Sequence, residues 1–101
     1  MSKAWKQNER IIAAYIGGER VPVSGRARGD APDIKHPCLS IEVKLRMRVP
    51  AWIKNGMDQA KQSVRGDQIP CLIIREKFQR VDDALVCISL KDFRESILDD
   101  D

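Results

Sequence analysis

The chain has 101 residues, 43% of them apolar and 33% charged, with a formal net charge of +3. That length fits one compact domain with a modest core. No apolar run approaches the ~20 residues of a membrane-spanning helix, and no signal-like pattern opens the sequence, so a cytoplasmic protein with no membrane partner is expected.

The charge is unevenly spread. Residues 1–80 hold 16 Lys and Arg against 8 Asp and Glu, whereas residues 81–101 hold 2 against 7. A basic body suits a polyanionic partner, and Asp99–Asp101 reads as a solvated acidic tail behind a single domain over 1–98. The three cysteines, Cys38, Cys71 and Cys87, show no C-x-x-C spacing. Cys71 and Cys87 fall in strand-like segments as small buried apolar residues, and His36-Pro37-Cys38 lacks the second ligand pair that a zinc site needs.

In chain order, residues 2–16 predict a helix that Gly17-Gly18 terminates, followed by a short strand over Glu19–Val23. Residues 24–32 form a polar loop carrying Arg26, Arg28 and Asp30. From Leu39 to Arg46, apolar and polar residues alternate with the period of a half-buried strand. Pro50 opens a second helix to about Arg65, with Ile53, Met57, Ala60 and Val64 at helical spacing and Gly66 beyond it. Cys71–Ile74 and Ala84–Ile88 predict strands, and Ser89 with Asp92 caps a last short helix. The order α-β-β-β-α-β-β-α implies an α/β fold, a central mixed sheet flanked by helices.

Glu42 and Lys44 lie two apart on the polar face of the alternating strand, so both side chains project the same way, with about 7 Å between their Cα atoms. Asp33, held by Pro32 nine residues before Glu42, is placed to bring a second carboxylate beside it. Two carboxylates hold Mg²⁺ through hard oxygen ligands, with the Val43 carbonyl as a further donor. An ammonium stabilises the attacking hydroxide and the pentacovalent transition state. Taken alone, E-V-K is also the charge pattern of an ordinary exposed strand face. Glu9 adds weight, because it shares a helical stripe with Trp5, Ile12 and Ile16, where a carboxylate is costly unless paired or metal-bound. The alternative puts Glu9 at the stripe's edge, paired with Lys6 or Arg10.

Glu9, then Arg20-Val21-Pro22-Val23-Ser24-Gly25, Pro32-Asp33 and Ile41-Glu42-Val43-Lys44 together resemble the Holliday-junction resolvases of archaeal type and their small phage relatives. These belong to the restriction-endonuclease-like superfamily. The resemblance implies Glu9, Asp33 and Glu42 as metal-site acids for Mg²⁺ or Mn²⁺, Lys44 as the catalytic lysine, and Arg20 and Ser24 on DNA phosphate near the scissile bond. Gln59 would match a glutamine near such sites, with Gln62 an equal candidate one turn on, and Asp30 is a rival to Asp33. It further implies a homodimer on branched DNA, a part in recombination or repair, and the host cytoplasm if the source is a phage. Arg26, Arg28, Arg46 and Arg48 then read as a phosphate-binding rim, or as solvated charge. Trp5 and Trp52 read as core or dimer surface rather than base-stacking residues. Three alternatives stand beside the resolvase reading: a nuclease for flap, nicked or mismatched DNA, a non-catalytic DNA-binding module, and, should the acids prove dispersed in space, a generic interaction domain.

Overall fold

The computed structural model describes residues 3–22 and 31–99. The chain divides into two compact units, Met1–Met47 and Arg48–Asp101, both of mixed α/β character. The loop residues Val23 to Asp30, with Ser24, Arg26 and Arg28, and the tail residues Asp100 and Asp101 lie outside the described residues.

In the first unit, helix α1 (Lys3–Ile16) presents an apolar stripe that buries Ala13 and Ile16. It ends in a Schellman turn. Gly17 takes φ +75° and the Gly18 N–H donates to the Ala13 carbonyl at 2.9 Å, which satisfies one of the last orphan carbonyls. Strands β1 (Glu19–Arg20), β2 (Ile34–Lys35) and β3 (Ser40–Ile41) then pair antiparallel in the order β1-β2-β3, with Arg20 opposite Ile34 and Ile34 opposite Ile41. Ile34, fully buried on the middle strand, makes up the apolar core of this unit with Ala13, Ile16 and Val21. His36 closes the base: its Nε2 lies 3.1 Å from the Ile16 carbonyl and its Nδ1 accepts the Cys38 N–H at 3.1 Å. Both ring nitrogens are therefore engaged within the fold.

The alternating segment Leu39–Arg46 pairs as a strand only at Ser40–Ile41. Beyond Ile41 the chain leaves the ladder, because the Val43 N–H donates to the Asp33 side chain instead of a neighbouring strand. The periodicity survives without the pairing: Glu42 and Lys44 border the more exposed side and Val43 alternates with them.

In the second unit, helix α2 (Ala51–Gln62) starts at Pro50, whose carbonyl accepts the Ile53 and Lys54 N–H groups. The helix stops three residues short of Arg65. The Ser63 hydroxyl bonds back to the Gln59 carbonyl, and the Ser63 and Val64 N–H groups shorten to i−3 acceptors. Strands β4 (Leu72–Ile74) and β5 (Leu85–Cys87) form an antiparallel hairpin, with a 3₁₀ turn at Val81–Asp83 in the connection. Helix α3 (Leu90–Phe93) begins where Ser89 Oγ accepts the Asp92 N–H at 3.0 Å, and runs into a π-helical turn over Arg94–Leu98. Helix α2 approaches the hairpin closely at Gly56, where an added Cβ would lie 2.9 Å from Leu72 Cδ1. None of the described residues of this unit is buried. Cys71 is exposed and Cys87 half-buried, unlike the buried pair expected. The described strands make two small antiparallel sheets, one in each unit, where alternation alone suggested longer members of one mixed sheet. No described helix is long and apolar enough to cross a membrane.

Gly18 and Gly56 should respond differently to alanine. A Cβ at Gly18 would sit 2.6 Å from the Lys35 carbonyl oxygen and 2.8 Å from Ile34 Cγ2, so Gly18→Ala should lose about 1–3 kcal/mol in urea unfolding. Gly56→Ala meets only the movable tip of Leu72 and gains helix propensity of about 0.5–1 kcal/mol, so its net change should be near zero.

Candidate active site

Backbone hydrogen bonds position Asp33. Its carbonyl accepts the Val21 N–H and its N–H donates to the Ile41 carbonyl, each at 2.9 Å. The residue is thereby fixed between the extensions of β1 and β3 and is 8% exposed. Its Oδ2 then accepts the Val43 N–H at 2.7 Å, the short length expected of a charge-assisted bond. This bond places the Pro-Asp corner against the segment that carries Glu42 and Lys44. Glu9, Asp33, Glu42, Val43, Lys44 and Arg46 all line one cavity of about 400 Å³ in the first unit.

Glu9 reaches that cavity from α1 and is 4% exposed. It is not the solvent-edge residue that pairing with Lys6 or Arg10 would require. Instead Oε1 accepts from Arg20 Nε at 2.8 Å, in a pair whose side chains are 5% and 15% exposed respectively. The Arg20 guanidinium carbon also lies 5.6 Å from the Trp5 ring centroid, within cation–π range. Arg20 Nη2 is buried with no hydrogen-bond partner among the described residues. The resemblance sets Arg20 on DNA and Glu9 on a metal; the fold brings the two together.

Asn8 and Trp5 also line the cavity. Sequence reasoning misses Asn8, although its place three residues after Trp5 and beside Glu9 puts it on the same side of the helix. Arg48 and Gln59 belong to the second unit, and both are exposed.

Among the described residues, no group of three or more His, Cys, Asp or Glu side chains is gathered so as to hold a metal ion. Mg²⁺ needs less from a protein than that. It is bound through one or two carboxylates and keeps several waters. Asp33 and Glu42 line the cavity together, which supplies the two carboxylates such a hydrated ion asks for. Comparison with protein families, curated proteins and solved structures returns no match.

The buried pair gives a direct test of what Glu9 does for the fold. Arg20→Leu leaves a carboxylate in the interior without its guanidinium, and should cost about 3–5 kcal/mol in denaturant unfolding. Adding Glu9→Leu to that variant should recover much of the loss. If the double variant is as unstable as the two single losses combined, the pairing energy is absent.

Proposed function

We propose that this chain is a metal-dependent DNA endonuclease of the Asp…Glu-x-Lys type, with a restriction-endonuclease-like architecture, acting as a homodimer on four-way junctions. The observation that carries the reading is the convergence of Asp33, Glu42, Val43 and Lys44 on one cavity, joined by the Asp33–Val43 hydrogen bond. The order of those motifs along the chain supports the same reading.

In this mechanism Asp33, Glu42 and the Val43 carbonyl would hold Mg²⁺ or Mn²⁺, which would supply charge neutralisation at the phosphate and activation of a water. Lys44, at the cavity with Glu42, offers its ammonium to the attacking oxygen and to the charge that grows on the phosphorane. Asp33 is held rigid by its backbone bonds, so it loses little freedom when a ligand arrives. Glu9 lines the cavity and is paired with Arg20, and two carboxylates suffice for the ion, so Asp33 and Glu42 would carry it. Arg46, also at the cavity, contributes positive charge for the DNA backbone, with Arg20, Ser24, Arg26, Arg28, Arg48 and Gln59 as further DNA contacts.

A four-way junction fits this reading because a two-fold dimer presents two equivalent sites to a two-fold substrate. Paired nicks in opposed strands follow from that symmetry. A nuclease for flap, nicked or mismatched DNA would share the same cavity chemistry.

Glu42→Gln and Lys44→Ala should each lower junction cleavage by at least ~100-fold, the scale for loss of a charge-stabilising group. Glu9→Gln should cost clearly less, because the glutamine amide oxygen can still accept from Arg20. Junction binding without metal should persist in all three, since phosphate contacts supply most of it. Cleavage rates and gel-shift affinities on the same preparations check this; near-wild-type cleavage by Glu42→Gln would end the assignment.

A further inference from the structure

The second unit is short of cover. Of its described residues none is buried, yet Ile73, Phe78, Val81, Leu85 and Val86 are 64%, 91%, 72%, 63% and 63% exposed. All five belong to the β4–β5 hairpin and its connection. The register sets Ile73 directly opposite Val86, so the two form one apolar cross-strand pair on a single face. Leu72 points to the other face, which is where α2 comes close through Gly56.

The connection is built firmly around Gln79. Its side chain accepts the Glu76 N–H at 2.9 Å and donates to the Asp83 carbonyl at 3.1 Å, while its own carbonyl accepts from Arg75 Nε at 2.9 Å. Inside this frame Phe78 takes φ +69°. That conformation is costly for a bulky side chain and free for glycine. A phenylalanine held there and exposed to solvent is what an interface anchor looks like before its partner arrives.

We propose that this hairpin surface, Ile73 and Val86 with Phe78 and Val81, is where a second copy of the chain docks. The inference rests on the dimer reading above and gives that dimer its contact. The area is of the right size. At roughly 150–200 Å² for a large side chain in the open, these four residues expose on the order of 500 Å², more than half of the ~800 Å² that each partner buries in a standard interface; Leu85, opposite Ile74, lies on the other face with Leu72. The charge favours a like partner over DNA. Arg75, Lys77 and Arg80 are matched by Glu76, Asp82 and Asp83, so the connection has no net attraction for a polyanion. A two-fold contact can set the cations of one copy against the carboxylates of the other. A two-stranded hairpin is also marginal alone, and a unit without buried side chains needs its cover whenever it folds.

Sedimentation equilibrium on the full chain, with and without substitutions, tests this. The wild type should be a dimer at micromolar concentration. Phe78→Gly relieves the backbone while deleting the anchor, so it should raise the dimer dissociation constant at least tenfold with unchanged circular dichroism. Val86→Lys should do the same, and Phe78→Gly keeps the test valid if Val86→Lys fails to fold. A wild-type monomer, or unaltered dimer affinity in folded Phe78→Gly, would overturn the proposal. So would a Phe78→Gly protein that keeps its dimer but loses junction affinity, which would mark a base-stacking loop. Glu42→Gln should dimerise like the wild type, whereas a wild-type dimer that never cleaves DNA refutes the nuclease and leaves the interface standing.

Discussion

The 2.7 Å hydrogen bond from the Val43 N–H to the Asp33 carboxylate extends the link between two stretches of chain past the end of regular β2–β3 pairing. Asp33 sits between β1 and β3 with both backbone groups committed, while Glu42 and Lys44 follow β3 where regular pairing has ended. The side-chain bond takes over from the ladder and carries the chain past the Asp33 carboxylate. The same bond explains why a carboxylate can be buried here: a charged acceptor meets a backbone donor that would otherwise lose its partner at the strand's end. Asp33 is thus at once a structural clamp and the fixed acid of the candidate site, and Glu42 is its adjustable companion.

Glu9, Arg20 and Trp5 form a second constraint on the same cavity. An ion pair this buried contributes little net stability compared with an apolar replacement, but breaking one side of it is expensive. Its value here is geometric. The pair ties α1 to β1, and Trp5 backs the guanidinium, so the helix face that lines the cavity is fixed relative to the sheet. Arg20 Nη2 is buried and has no hydrogen-bond partner among the described residues.

Much of the arrangement is legible from the residues. The helix over 3–16 with its Gly17-Gly18 stop, the Pro50 start and the Ser89–Asp92 cap all rest on local rules of capping and periodicity, and they fall close to where those rules put them. Spacing puts Glu42 and Lys44 on one side of the chain, the resemblance adds Asp33 and Glu9, and all four line one cavity. What escapes the sequence is non-local. Alternation over Leu39–Arg46 encodes which side chains face the interior, but strand pairing needs a neighbour, and Asp33 captures the Val43 N–H instead. The Glu9–Arg20 pair spans eleven residues across a Schellman turn, whereas helical spacing points to Lys6 and Arg10. Strand context predicts burial of Cys71 and Cys87, and a hairpin with an uncovered face leaves that expectation unmet.

We propose that Asp33 and Glu42 together, with Lys44, make this a nuclease for branched DNA. The most direct test is one incubation series: purified protein with Mg²⁺ and end-labelled four-way junction, flap, duplex and single strand of matched sequence, with and without chelator. The account predicts chelator-sensitive cutting, fastest on the junction, with nicks at symmetric positions in opposed strands. Absence of any chelator-sensitive cleavage across the four substrates would contradict it.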